Sequence, residues 1–221
     1  MSVVVLFSGG LDSTALLAWS CDLYREVYAV TFDYGQKNRQ ELCAAQKIAA
    51  KLDLEEHRLV DISQLRPLLG GSSLTDDRIA APTDPEHIED VAVPMRNLIL
   101  VAIAAGWAAS LEADCLLLGF LRGAAGMNSG LADTSREFLR KADAVVRAAD
   151  YGEVRVFAPF EYWGMNKADA ILKGVSVNAP LHLSWSCFEE GEKHCGRCVT
   201  CRERKAAFKK ALVEDPTKYA A

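Results

Sequence analysis

Apolar runs alternate with amphipathic stretches from the start of the chain. Residues 3–7 (VVVLF) are apolar throughout, which reads as a strand buried on both faces. Gly9-Gly10 follows, and from Ser13 onward the pattern turns helical, with Leu16, Leu17, Ala18 and Trp19 apolar. Residues 26–32 predict a second strand. Residues 38–51 predict an amphipathic helix that gathers Leu42, Ala45, Ile48, Ala49 and Leu52 on one side. A third strand is expected at 56–60. An apolar helix over 98–111, buried on most sides, leads to a fourth strand at 114–118. A helix with a charged outer face follows over 134–150, then a short strand at 153–157, then a helix capped by Asn166 and running to Lys173. The pattern fails over 70–93, a stretch that reads as a lid, a binding loop or disorder, and again over the irregular stretch 120–133. This alternation predicts an α/β fold: a parallel sheet with helices on both faces. Ligands of such sheets sit beyond the carboxyl ends of the strands, where Ser8, Asp33 and Asp61 fall.

The length of 221 residues suits one domain with a small appendage. A net charge of −5 argues against a broad basic face for nucleic acid. No apolar run reaches the roughly 18–20 residues that span a membrane. Met1-Ser2 runs straight into the first strand, so the chain is read as cytoplasmic, where cysteines stay as thiols or bind metal. Cys187, Cys195, Cys198 and Cys201 have the spacing C-x7-C-x2-C-x2-C. Four soft thiolates so close suit a tetrahedral zinc ion with no open position, hence a structural role. An iron–sulfur cluster and unligated thiols are the alternatives. Cys21, Cys43 and Cys115 read as small core residues.

Candidate chemistry concentrates in Phe7-Ser8-Gly9-Gly10-Leu11-Asp12-Ser13-Thr14. A strand, a glycine turn and a helix start leave backbone N–H groups pointing outward with the positive helix end behind them. Ser8 and Ser13 add hydroxyls, so phosphate is the natural guest. The Walker loop is excluded, because Asp12-Ser13 stands where that loop has Lys-Ser/Thr. The competing reading is a tight turn that binds nothing.

Several further motifs stand in a fixed order: FDYGQ at 32–36, LTDD at 74–77, VPMRNL at 93–98, NKADAI at 166–171 and WSCFEEGEKHCGRCVTCRER at 185–204. With SGGLDST at 8–14, they resemble the 7-cyano-7-deazaguanine synthase (QueC) family of the ATP pyrophosphatase (PP-loop) superfamily. The resemblance covers most of the chain. It implies an adenine nucleotide alpha hydrolase-like fold, with a PP-loop domain over 1–184 and a zinc-binding tail over 185–212 packed on it. It also implies an ATP-dependent, AMP-forming ligase that uses ATP, Mg²⁺ and Zn²⁺. The carboxylate of 7-carboxy-7-deazaguanine attacks the α-phosphate, ammonia displaces AMP to give an amide, and a second ATP drives formation of the nitrile. The partners implied are that small molecule and ammonia, with the enzyme a homodimer and no membrane or nucleic acid involved.

By the same resemblance, Phe7 to Thr14, Arg96, Asn97 and Gly119 hold ATP. Asp12, Ser13, Asp33, Arg96 and Lys167 are the catalytic candidates, and Tyr34, Arg122, Ser129 and Asp133 face the substrate. Asp12 either binds Mg²⁺ or caps loop amides. Asp33 either contacts ATP or caps a turn. Arg96 has a planar fork suited to phosphate or carboxylate, against the reading of a solvated arginine at a helix start. Lys167 is a phosphate ligand or a surface lysine. His194 is read as lying behind the metal ligands or on the surface.

Residues 119–138 depart from the family's usual GxNxxDxSGYPDCRPEF. Ser129-Gly130, Asp133 and Glu137-Phe138 persist, while the Asn, the first Asp, the Tyr-Pro and the Cys-Arg pair do not. Two outcomes follow: a diverged nitrile-forming synthase, or a paralogue in a defence or specialised pathway. The latter would pass the activated acyl group to another amine, such as one on a protein. A tRNA-modifying pyrophosphatase lacks support without an added RNA-binding domain or basic surface. A non-enzymatic zinc module leaves the phosphate loop unexplained.

Overall fold

The computed structural model describes residues 1–83, 90–121, 132–149 and 153–220. Five strands form one parallel sheet: β1 (Ser2–Leu6), β2 (Glu26–Asp33), β3 (Glu56–Asp61), β4 (Cys115–Leu118) and β5 (Arg155–Phe157). Their order is β3-β2-β1-β4-β5, with Val3 paired to Val27 on one side and Cys115 on the other. The chain winds outward from β1 in one direction and then in the other. The crevice beyond the ends of β1 and β4 is therefore where such a sheet receives a ligand.

Alternation along the central strands feeds two cores. Val3, Val5 and Phe7 face one side, packed with helices α1 (Leu11–Leu23), α2 (Gln40–Ala49), α6 (Lys167–Ser176) and α7 (Val199–Ala211). Val4, Leu116 and Leu118 face the other, under α3 (Arg96–Ser110) and α4 (Arg136–Ala149). The α/β architecture with helices on both faces is thus observed. A further helix, α5 (Pro159–Tyr162), is a single turn between β5 and α6. At Gly174 of α6 a Cβ would stand 3.2 Å from that of Ala15, so α1 and α6 approach closely there.

One expectation changes. The apolar helix α3 is not buried on most sides. Leu100, Val101, Ala104, Ala105 and Ala108 are buried, while Ala102, Ile103 and Gly106 are exposed, because only the sheet side is covered. The 70–93 stretch is, in its described parts, a set of anchored turns. Lys37 Nζ donates to the carbonyls of Asp76 and Ile79, Arg66 Nε donates to Thr75 O, and Leu69 and Val93 pack with Tyr34.

Asn166 caps α6 as expected. Its side chain accepts from Ala168 N at 2.9 Å, and Asp169 accepts from Asn166 N at 2.9 Å. Each half of this reciprocal pair satisfies an otherwise unpaired amide. Asn166→Ala is expected to lower stability by about 1 kcal/mol, read as a lower urea midpoint with an unchanged slope.

Candidate active site

The loop after β1 is built by what surrounds it. Gly9 has φ +81°, and a Cβ there would lie 2.5 Å from Glu41 O and 2.7 Å from Ala45 N of α2. Only glycine fits both the backbone and the space. Gly10 is the N-cap of α1 and no side chain caps it, so the amides of the first turn remain for a ligand. Ser8 and Ser13 hydroxyls lie 3.0 Å apart, and Gly10 N donates to Ser8 Oγ at 3.2 Å. Thr14 is buried and donates to Gly10 O at 2.7 Å, fixing the loop from behind. Gly119, just past β4, is placed so that a Cβ would come 3.1 Å from Ser13 Cα.

A cleft of about 390 Å³ opens over this loop. Its lining takes Phe7, Ser8, Gly10, Leu11, Asp12 and Ser13 from the loop and helix start. Tyr34, Arg96, Asn97, Gly119 and Lys167 join them from elsewhere in the chain. Gly9 and Thr14 shape the loop without lining the cleft. Asp33 is also outside the lining: it accepts from Gly35 N at 3.0 Å and pairs with Arg39 at 2.7 Å. Asp133 offers its carbonyl to Asn97 Nδ2 at 3.3 Å, while its neighbour Thr134 lines the cleft. Arg122 and Ser129 lie outside the described residues. A larger depression of about 780 Å³ adjoins the cleft and shares Gln36 and Phe188 with it. Its cations are already engaged, Arg39 by Asp33 and Arg66 by Asp77, and it holds none of the loop.

The charges in the cleft are partly paired. Lys167 is no surface lysine: its side chain is 17% exposed, with Nζ 3.1 Å from Glu203 and 3.7 Å from Asp12. Burial alone would lower its pKa, but Asp12 and Glu203 outweigh it and the net direction is up, so Lys167 stays charged. Burial raises Asp12 despite Lys167, and its Oδ1 is buried with no hydrogen-bond partner. An unsatisfied carboxylate oxygen beside a phosphate loop fits a hard divalent cation such as Mg²⁺. Arg96 donates to Tyr34 Oη at 3.3 Å and to Asn97 Oδ1 at 3.1 Å, so it is held against the cleft wall rather than solvated. Burial raises the Tyr34 hydroxyl pKa.

Several lining residues carried no signal in the sequence reading. Glu41 stands in the first turn of α2, and burial pushes its carboxyl up to about 7, with Arg96 opposing. Trp185, Ser186, Phe188 and Thr200 come from the cysteine tail. Their clue was position, since Trp185 and Ser186 directly precede Cys187 and Phe188 and Thr200 interleave the cysteine ligands.

The four cysteines converge. Their Sγ atoms all lie within 4.8 Å of one another, with Cys195 and Cys201 at 4.0 Å. A tetrahedron with arms of about 2.3 Å has edges of roughly 3.8 Å, so the cluster fits zinc. Amides of Glu189 and Cys195 donate to Cys187 Sγ, and Cys198 N donates to Cys195 Sγ, each at 3.3 Å. Such bonds stabilise thiolates. His194 is buried, not on the surface: it accepts from Ser186 N at 3.1 Å, and burial lowers its pKa to about 4.

The family model for "Queuosine biosynthesis protein QueC" matches residues 2–212. The chain belongs to the QueC family. A 7-cyano-7-deazaguanine synthase from Pseudoalteromonas translucida is 37% identical over 220 residues, 98% of either chain. One from Ruegeria sp. (strain TM1040) is 39% identical over 226 residues, covering all of this chain and 94% of that one. A solved structure described as a predicted subunit of tRNA methyltransferase, from Methanocaldococcus jannaschii, aligns over this whole chain and 92% of its own. Its TM-score is 0.50 and its identity 17%, a likeness of fold alone. The QueC fold here thus carries the phosphate loop and the cysteine cluster in one core, since Cys187, Cys198 and Cys201 pack in the same cluster as Val3 and Val5.

Two outcomes are expected. Metal analysis of the purified protein should find about one zinc per chain, and Cys198→Ser should lose it and melt earlier. Glu41 titrates higher in the folded chain than its ordinary 4.5, so the folded state binds the proton more tightly. The stability associated with Glu41 is therefore full below about 4.5 and is lost as pH rises to about 7. Glu41→Gln should raise the melting temperature at pH 8 relative to native protein, with the difference vanishing near pH 4.5.

Proposed function

We propose that the chain activates the carboxylate of 7-carboxy-7-deazaguanine with ATP and passes it through the amide to the nitrile, releasing AMP and pyrophosphate at each activation. The observation that supports this best is the cleft itself. It joins uncapped α1 amides, two serine hydroxyls, Lys167 and Arg96 in one 390 Å³ space, in a chain of the QueC family.

A carboxylate oxygen leaves poorly until it is esterified to AMP, so the first task is attack on the α-phosphate. Negative charge then grows on the departing pyrophosphate. The first-turn amides of α1 and the Ser8 and Ser13 hydroxyls are fixed in advance by Gly9, Thr14 and each other. Preorganised donors of this kind stabilise that charge without reorganising during reaction. Lys167 is held charged by Asp12 and Glu203 and adds a cation. Arg96 presents a planar fork to phosphate or substrate carboxylate. Asp12 would hold Mg²⁺, which supplies charge neutralisation on the phosphates. The cysteine site would hold zinc in a structural role and orient Trp185, Ser186 and Phe188 at the cleft. The cytoplasm and a homodimer belong to this reading.

A second reading rests on residues 119–138, where Arg122 and a glycine-rich run replace much of the family pattern after β4. In it, the same activated acyl group goes to another amine, such as one on a protein. Specificity of this kind resides in the site and not in the fold. Mass spectrometry after incubation with Mg-ATP, 7-carboxy-7-deazaguanine and ammonium separates the two. The expected product is the nitrile, with two AMP formed for each. An adenylate that accumulates without amide or nitrile supports the second reading and sinks the first.

A further inference from the structure

We propose that Glu41 is the proton acceptor for the nitrogen nucleophile when it attacks the activated acyl group. The proposal rests on the reaction inferred above. In that step the ammonia nitrogen forms a bond to the carbonyl carbon. The bond from that carbon to the AMP oxygen breaks, and AMP leaves with the electron pair. The nitrogen enters with three hydrogens and the amide keeps two, so one proton must leave as the bond forms. Here that proton goes to a Glu41 carboxylate oxygen, which later returns it to solvent.

The cleft offers few groups able to accept a proton. No histidine is among its described lining residues. Lys167 is held charged between Asp12 and Glu203, and Arg96 is a permanent cation. Tyr34 is buried and its hydroxyl stays protonated. The two carboxylates in the described lining are Asp12 and Glu41. Asp12 pairs with Lys167, and its other oxygen suits a cation. The Glu41 carboxyl has no hydrogen bond or ion pair to any described residue, although Arg96 acts on it through charge. The titratable groups acting on this neighbourhood are Arg96 from α3 and Tyr34 from the turn after β2, with Asp12 of α1 and Lys167 of α6 also in the lining.

Its placement is firm. Glu41 sits in the first turn of α2, and its carbonyl is the atom that abuts Gly9, so the residue is locked to the phosphate loop through its own backbone. The apolar face of α2, with Leu42, Ala45 and Ile48 buried, fixes the helix on the sheet. The carboxylate is thus rigidly carried yet unengaged. Its pKa of about 7 is near the working pH, where a general base is most effective.

The test separates activation from nitrogen transfer. With Mg-ATP and 7-carboxy-7-deazaguanine, carboxylate-dependent exchange of labelled pyrophosphate into ATP reports activation alone. Amide and nitrile formation, plotted against unprotonated ammonia, reports transfer. For Glu41→Gln the ratio of transfer to exchange should fall about 100-fold, in line with the loss of a general base. Glu41→Asp should recover part of it. Native transfer should decline below pH 7, and the Gln variant should lose that limb. A Gln variant with the native ratio, or one that loses both rates in equal proportion, overturns the assignment. Native protein that exchanges no pyrophosphate with this carboxylate refutes the reaction itself, and the Glu41 role falls with it.

Discussion

The phosphate loop must present unpaired amides and still hold one shape. An unpaired amide gains nothing from its own chain, so the shape has to come from neighbours. Gly9 supplies the tightest of these contacts, with Glu41 O and Ala45 N so close that no side chain fits between them. The Gly9 carbonyl accepts from Trp185 N at 2.9 Å, which ties the loop to the cysteine tail. Asn38 Nδ2 and Trp185 Nε1 both donate to Cys187 O. The segment before α2, the phosphate loop and the first cysteine are thus joined by hydrogen bonds within a few residues of each other. A metal that fixed Cys187 would therefore also stiffen the loop, although no thiol touches the cleft.

Charge is handled by the same tail. Arg204 of α7 is 1% exposed and donates to Ser184 Oγ, Ser186 Oγ, Leu181 O and Thr217 Oγ1. A buried guanidinium is tolerable only when its donors and charge are engaged; here four of its five N–H groups find acceptors and Asp215 lies 3.6 Å away. Its neighbour Glu203 reaches the opposite way, to Lys167. Two consecutive residues of one helix thus anchor the end of the chain and set a cation in the cleft. Replacing Glu203 would leave Lys167 less compensated beside Asp12, so the tail is part of the site's electrostatics as well as its scaffold.

Much of this was legible in the chain. The five strands and helices α1, α2, α3, α4 and α6 follow from apolar periodicity, because a two-sided sheet demands apolar runs at its centre, whereas α7 within the cysteine tail was not read as a helix. The glycine pair and the cysteine spacing were legible because few residue types can meet those geometric demands. Boundaries moved by a residue or two, as at α1, which starts at Leu11 instead of Ser13. The exposed side of α3 was not legible, since alanine and glycine look apolar whether covered or not. Asp33 was drawn toward the site by its strand-end position. A carboxylate there can turn back on Gly35 N and Arg39, and nothing in the sequence reveals which way it points. Glu41 was hidden for the opposite reason: a polar residue in the first turn of an amphipathic helix is ordinary, and only the packing of α2 against Gly9 makes it part of the cleft.

The two cleft acids differ in what they touch more than in what they are. Asp12 has a lysine at 3.7 Å and one oxygen without a partner among the described residues, so although burial raises its pKa it is placed to be shared between cations. The Glu41 carboxyl has no hydrogen bond or ion pair to a described residue, and burial raises its pKa to about 7. One environment suits holding charge against phosphate and the other suits accepting a proton. The separation follows from backbone placement, with Asp12 at the start of α1 beside Lys167 of α6 and Glu41 at the start of α2 within reach of the charge of Arg96. A site performing the proposed reaction would stabilise a leaving pyrophosphate and deprotonate an incoming nitrogen, and would need both conditions at once. A single carboxylate could not provide them, because the cation that suits the first task would lower the basicity needed for the second.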